Sequence, residues 1–421
     1  MEGFISHEEK IPVRDEYDVI VAGGGVAGVS AAVSAARLGK RVLLVEKTVS
    51  LGGLATIGLI NLFVPMCNGR GVQIIRGMAE ELLRLSITKG YDTLPEVWRN
   101  GEPGFGKTNV RYLTKFSTPI FIMQLTEFVK KAGVDLLFDT VVSEPVMDGN
   151  RISGVILDSK SGREYYSAKI FIDTTGDADL LYRAGVPTVE GGNYDTFVMY
   201  GTTLEKCQEA IDAHDIGKLQ VAYTGGGANL YGTNHPEGKP LWKGTDNRDI
   251  TQYFVENHAA LLAKISDDDR RARDILIMPT MPQFRTTRHL DGDHTFTVDD
   301  VYIHYDDSIG TICDFDHRDF LFEVRYGTIC KRGYPNVLAA GRIAAAEGFG
   351  WDILRVIPPA IITGQAAGVA AALAIDEGVD VADVDIRTLQ AELAARDVMI
   401  HFDDAWVPEN RVVEKADFDH L

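Results

Sequence analysis

DVIVAGGGVAGVSAAVSAARLGKRVLLVEK, residues 18–47, decides the fold. Its first five residues are a short β-branched apolar run, the pattern of a buried strand. A glycine turn follows at once. An Ala-rich helix is then expected over 26–38, stopping at Gly39, a residue suited to the position just past a helix end. Residues 41–45, RVLLV, read as a second buried strand, and strand, helix and strand in that order open a parallel sheet. The turn carries Gly23-x-Gly25-x-x-Gly28, and Glu46 ends the second strand 18 residues after Gly28. Gly23 allows the tight turn, Gly25 lets the backbone approach a pyrophosphate, and Gly28 lets helix and strand pack closely. The helix N-terminus favours the phosphate charge. Glu46 can accept hydrogen bonds from both hydroxyls of an adenosine ribose and would repel a 2′-phosphate, which disfavours NADP. The bland alternative is a structural glycine turn; the strand and helix around the glycines favour a dinucleotide site.

Outward from this unit, Gly52-Gly53-Leu54-Ala55-Thr56 follows the acidic residue closely. Bare chain there suits a long cofactor running on past the pyrophosphate, the alternative being a flexible loop. An amphipathic helix is expected over 122–131 and a returning strand over 135–142. Turns at 149–150 and 161–162 frame 152–157 and 165–171 as an antiparallel meander on top of the parallel sheet. Asp173-Thr-Thr-Gly176-Asp177-Ala-Asp179 lies at the carboxyl end of a strand, where open α/β sheets bind ligands, and would equally cap a helix beginning near Ala178. From 185 to 334 the chain turns irregular, Gly-rich and aromatic-rich, as in TGGGANLYGTNHPEGKPLW at 224–242. A strand over 336–340, Gly341-Arg342 and an apolar helix over 358–375 then return to the first pattern. The expected fold class is α/β: a Rossmann-like dinucleotide domain from 15–185 and 334–380, its parallel sheet joined to an antiparallel meander. An α+β substrate or cap domain is inserted at 186–333, and a C-terminal helix and acidic tail occupy 381–421.

Composition bounds the partners. With 421 residues, 45% apolar and 24% charged, the chain is an ordinary globular one with room for two domains. No stretch reads as the roughly 18 apolar residues of a membrane span, and the first residues lack an apolar signal core, so the expectation is a cytoplasmic protein away from membranes. A net charge of −19 argues against nucleic acid and anionic lipid. Cys67, Cys207, Cys313 and Cys330 form no CxxC pair and no zinc spacing, so no metal is expected. No CxxxxC pair follows the first glycine motif, which excludes a disulfide reductase mechanism.

Four motifs in this order, GGGVAG at Gly23, GGLATIGL at Gly52, DTTGDADL at Asp173, and Gly341-Arg342 with RVIPPAIITGQAAGVAAALA from Arg355, give a specific resemblance. With RTTRHLDGDHTFTVDD from Arg285, they are similar to the FAD-dependent oxidoreductases related to fumarate reductase and succinate dehydrogenase flavoproteins, within a mostly uncharacterised bacterial branch. The likeness covers 17–373 and is thinnest over 187–277. It implies a glutathione-reductase-like FAD-binding fold, with FAD held by Gly23, Gly24, Gly25, Val26, Ala27, Gly28, Glu46, Lys47, Gly52, Gly53, Leu54, Ala55 and Thr56, and completed by Thr175, Gly176, Gly341, Arg342, Gln365 and Ala366. Two departures stand out: TTG where the family has ATG, and His289 where an arginine is usual. The resemblance also implies hydride transfer between flavin N5 and a small polar or carboxylate-bearing metabolite. Arg285, Arg288 and Arg355 are candidates for a bidentate grip on an anion, against the alternative of structural ion pairs. His289, with His294, His304 and His317, is a proton-transfer candidate. The electron acceptor is unnamed and a homo-oligomer is left open. Two alternatives remain: a biosynthetic or RNA-modifying FAD- or NAD-using enzyme of the same superfamily, and a non-catalytic binding module on the same fold.

Overall fold

The computed structural model describes residues 5, 7–228 and 232–409; the expected acidic tail lies outside them from residue 410 on. Strand β1 (Val13–Ala22), helix α1 (Val26–Arg37) and strand β2 (Val42–Val45) form the expected opening unit, with β1 and β2 parallel. The expected strand over 135–142 is broken. Asp139 takes φ 51°, which splits it into β3 (Asp135–Leu137), parallel to β2, and β4 (Thr140–Asp148). Strands β5 (Arg151–Ser159) and β6 (Gly162–Asp173) complete the meander, and β6 also runs parallel to β1. The meander is therefore continuous with the parallel sheet by hydrogen bonding, and the sheet forks at β6. Its first half pairs antiparallel with β5, while residues 171–173 pair parallel with the returning strand β7 (Val337–Ala339).

Both faces of the sheet are covered over β2 and the second half of β1, which is why Val19 to Ala22 and Val42 to Val45 read as unbroken apolar runs, whereas the first four residues of β1 are exposed. Val19 and Val21 point into one core with α1 and the long helix α2 (Ile357–Glu377), while Ile20 and Ala22 point into the other with Leu43, Val45 and Phe171. Helix α2 is long and apolar enough to cross a membrane, which the reading by uninterrupted apolar residues did not register because Thr363, Gly364 and Gln365 interrupt it; it is a buried core helix here. It lies directly on α1. A Cβ added at Gly364 would stand 2.3 Å from Ala27 O, and one at Gly368 2.2 Å from Ala31 O. Gly368→Ala is accordingly expected to force the helices apart and lower stability by about 1–3 kcal/mol; an unchanged melting temperature would show that the crossing tolerates the extra atom.

The middle region is more regular than its composition suggests. Strands Val198–Thr203, Val221–Thr224 and Arg273–Ile277 form an antiparallel sheet, and an unforeseen helix, Asn247–Ile265, is capped by Asp246. These elements enclose a third core of Phe197, Met199, Trp242, Tyr253, Leu261 and Phe284. The later hairpin Ser308–Cys313 and Leu321–Arg325 packs instead into the core shared with α1 and α2.

Candidate functional site

The carboxyl ends of β1, β2 and β6 converge on one cleft, the place where open α/β sheets bind ligands. The turn after β1 is pinned on both sides: Gly23 N donates to Val45 O at 2.8 Å, and Thr174 Oγ1 donates to Gly23 O at 2.7 Å. At φ 104°, Gly23 occupies the left-handed region, and any Cβ there would meet Thr174 O at 2.5 Å. Gly25 faces open space, and the first turn of α1 carries neither a side-chain cap nor an acidic residue. Its N–H groups and dipole are thus presented to the cleft.

Glu46 is buried and fixed through both oxygens. Oε2 accepts from Gly24 N at 2.7 Å, and Oε1 accepts from the Thr48 N and Oγ1, each at 2.8 Å. A glutamine there would set its amide donor against one of those N–H groups. Glu46→Gln is expected to lower stability by about 1–3 kcal/mol and to release flavin more readily on dilution, measured by flavin fluorescence; full retention would remove Glu46 from the ribose role.

After β6, Asp173 shapes the loop without facing the cleft. Its Oδ1 accepts from Thr175 N and its Oδ2 from Leu181 N, both at 2.9 Å, and burial pushes its carboxyl up to about 6. Arg342 arches over that loop, donating to Gly176 O and, at 2.7 Å, to Asp177 Oδ1. Burial would raise the Asp177 carboxyl, but the charges of Arg342 and Lys47 hold it below the usual range.

Of the residues carried over for cofactor binding, Gly23, Gly25, Val26, Ala27, Glu46, Lys47, Gly52, Gly53, Leu54, Ala55, Thr175, Gly176, Gly341 and Arg342 line the cleft. Five others do not. Gly24 and Gly28 stand behind the turn, Gly24 on Glu46 and Leu51 and Gly28 against Gly23 O, while Thr56 is buried with its hydroxyl on Leu51 O at 2.7 Å. Gln365 points away, its Oε1 accepting from Met78 N at 2.9 Å, and Ala366 is sealed in the core. The motif reading reached too far along α2: its first turn, through Ile357 and Ala360, meets the cleft. Pro358 near the helix start was the signal for that turn. Thr140 to Val142, also in the lining, follow from the kink at Asp139, which no sequence pattern announced.

The candidate arginines separate. Arg288 is a structural residue: it donates to Asp177 O at 2.8 Å and Asp179 Oδ1 at 2.9 Å, and stacks 4.0 Å over Tyr182. Arg355 lines the cleft and grips Asp352 at 2.5 Å. Asp352 in turn lines a smaller adjoining hollow with Arg285, Gln283, Tyr194 and Thr286. Among the described residues Arg285 has no side-chain hydrogen bond or ion pair, and burial, with the charge of Arg355, pushes it down to about 10. His289 is buried, its Nδ1 2.6 Å from Leu290 O and its ring against Trp351, and burial holds its pKa down. Neither His289, His294, His304 nor His317 lines the cleft.

A model described as FAD dependent oxidoreductase matches residues 18–218 and 244–393. The chain belongs to this family. FAD is the cofactor of this oxidoreductase, and the uncapped helix start, the bare Gly25 and the fixed carboxylate of Glu46 fit its phosphates and ribose. The oxidoreductase is 26% identical over 186 residues to a digeranylgeranylglycerophospholipid reductase of Methanoculleus marisnigri, covering 42% of this chain and 43% of that one. It is 27% identical over 188 residues to the NADH:fumarate oxidoreductase of Klebsiella pneumoniae, covering 38% and 20%. Against the soluble pyridine nucleotide transhydrogenase of Chromohalobacter salexigens it is 55% identical over 176 residues, covering 40% and 33%. The oxidoreductase therefore spans less than half the length of each of these relatives.

Proposed function

We propose that the oxidoreductase exchanges a hydride with a small anionic metabolite, a carboxylate-bearing one foremost, held beside the cleft by Arg285 with Arg355 next to it. One observation carries this reading: Arg285 is a half-buried guanidinium with no partner among the described residues, in a hollow that adjoins the cleft through the Arg355 and Asp352 pair. The opposite charge of Asp352 reaches Arg285 only through space, since Asp352 is bonded to Arg355, so burial still costs this arginine and a bidentate carboxylate relieves that. In this reading Gly23, Gly25, Val26 and Ala27 hold the pyrophosphate of FAD and Glu46 its ribose. Gly52 to Ala55, Thr175, Gly176, Gly341, Arg342 and the first turn of α2 hold the remainder. When bound, FAD supplies a hydride acceptor or donor at N5. The chain's own part is to fix the substrate's charge at Arg285, to set Arg355 through Asp352, and to wall the apolar side of the cleft with Leu54, Ile57, Met281 and Ile357.

The acidic balance of the chain and a single guanidinium free of hydrogen bonds to the described residues fit a small acid better than the polyanion RNA. We place its work in the cytoplasm. The test is anaerobic: oxidised-flavin absorbance is followed while paired substrates are added, each acid beside its amide or alcohol analogue. Bleaching by an acid at least about tenfold faster than by its neutral analogue is expected, the equivalent of about 1.4 kcal/mol. Equal bleaching by both members, or bleaching by neutral metabolites alone, would sink the reading.

A further inference from the structure

Outside the cleft lining, three side chains from separate stretches converge on one point. His304 Nδ1 lies 2.6 Å and His401 Nδ1 3.0 Å from the same oxygen, Oε1 of Glu323, and the three ligand atoms fall within 4.8 Å of one another. Glu323 is fully buried on the strand Leu321–Arg325, its other oxygen accepting from Tyr305 N at 2.7 Å. Both imidazoles reach solvent, with side chains 40% and 47% exposed. On the far side of His304, Nε2 is 3.1 Å from Asp404 Oδ1.

We propose that His304, Glu323 and His401 bind a divalent transition-metal ion, zinc foremost, which ties the segment around 401 to the hairpin 308–325. A carboxylate oxygen faces each ring nitrogen of His304, so a neutral ring, which carries one N–H, leaves a lone pair turned against a carboxylate. A cation at Nδ1 removes that conflict. A proton would bridge one nitrogen to Oε1, whereas a metal ion engages all three atoms at once. Two imidazoles and a carboxylate are a standard donor set for zinc, with distances of about 2.0–2.2 Å that place tetrahedral donors about 3.4 Å apart, so the two nitrogens must draw back from Oε1 to admit the ion. Asp404 then acts as an outer carboxylate that keeps the proton on Nε2 and leaves Nδ1 as the ligand. The solvent-facing side leaves a position for water. The clamp would add to existing ties: Thr311 N donates to Met399 O at 2.8 Å and Ser308 Oγ to Ile400 O at 2.6 Å.

The test uses the full, flavin-loaded protein, stripped with a chelator, equilibrated with Zn2+ and passed through gel filtration, with zinc per chain measured by mass spectrometry. The wild type is expected to retain about one equivalent and to melt higher with Zn2+ than without. His401→Ala, a half-exposed position whose folding is checked by its flavin spectrum, should bind at least tenfold more weakly and lose the Zn2+-dependent rise. Asp404→Asn should weaken binding by about tenfold. Cys207→Ser, which removes the one cysteine that is not buried, should bind as the wild type does. No uptake by the wild type, equal uptake by His401→Ala, or loss of uptake in Cys207→Ser would overturn the proposal.

Discussion

Gly28→Ala is expected to purify without flavin and to melt well below the wild type. The added Cβ would stand 1.9 Å from Gly23 O and 2.7 Å from Thr174 Oγ1. Neither neighbour can yield cheaply. Gly23 is backbone in a turn bonded to Val45 on one side and Thr174 on the other, and the Thr174 hydroxyl is bonded to Ala22 O and Gly23 O. Relief requires α1 to move off β1, which misplaces the N–H groups at the helix start. Overpacking of a core costs about 1–3 kcal/mol and more where backbone must shift, so a loss of about 3 kcal/mol or greater is expected. The ratio of flavin to protein absorbance and the melting temperature report the two effects. A variant with wild-type colour and stability would show that the turn does not depend on this close approach.

Arg285→Met is expected to act with opposite signs on stability and on turnover. Removing a guanidinium that has no partner among the described residues, and replacing its stem with an apolar chain, should leave the melting temperature unchanged or raise it. Substrate-dependent reduction of the flavin should fall by about 100-fold in kcat/KM, since a charge-assisted hydrogen bond is worth about 1.5–3 kcal/mol. The flavin spectrum of the resting protein should not change. If the variant instead melts lower and reduces at the wild-type rate, Arg285 is an ordinary structural residue. Arg288→Met provides the contrast: with Asp177 O and Asp179 left unpartnered, it should destabilise the protein outright.

These contrasts mark what the sequence made legible. The opening strand, turn and helix were readable because Gly23, Gly24 and Gly28 answer local steric demands, and because Val19 to Ala22 and β2 are apolar on both faces. The place of Glu46 against the glycine turn was readable from spacing, since a parallel strand pair sets its distance from the turn. Gln365 and Ala366 were misplaced because a motif gives order along the chain but not the direction a helix face points, and that direction is fixed by Gly364 and Gly368 against α1. Arg288 and Arg285 are three residues apart and chemically identical. Only residues far along the chain, Asp177 and Asp179, decide that one is hydrogen-bonded and the other is not, and such pairings leave no periodic trace. The helix Asn247–Ile265 was hidden by a polar composition that buries few of its side chains.

The fork of the sheet at β6 has a consequence for how the protein is made. Residues 171–173 find their second neighbour only when Val337–Ala339 arrives, and Ala340, Gly341 and Arg342 of the cleft follow directly. A ribosome extending the chain at roughly 5–20 residues per second will have delivered the glycine turn and Glu46 long before it delivers these closing residues. The nascent chain thus carries half a binding site while the whole middle region is synthesised, and flavin can stabilise the fold only late, as a ligand that selects the completed chain over its precursors.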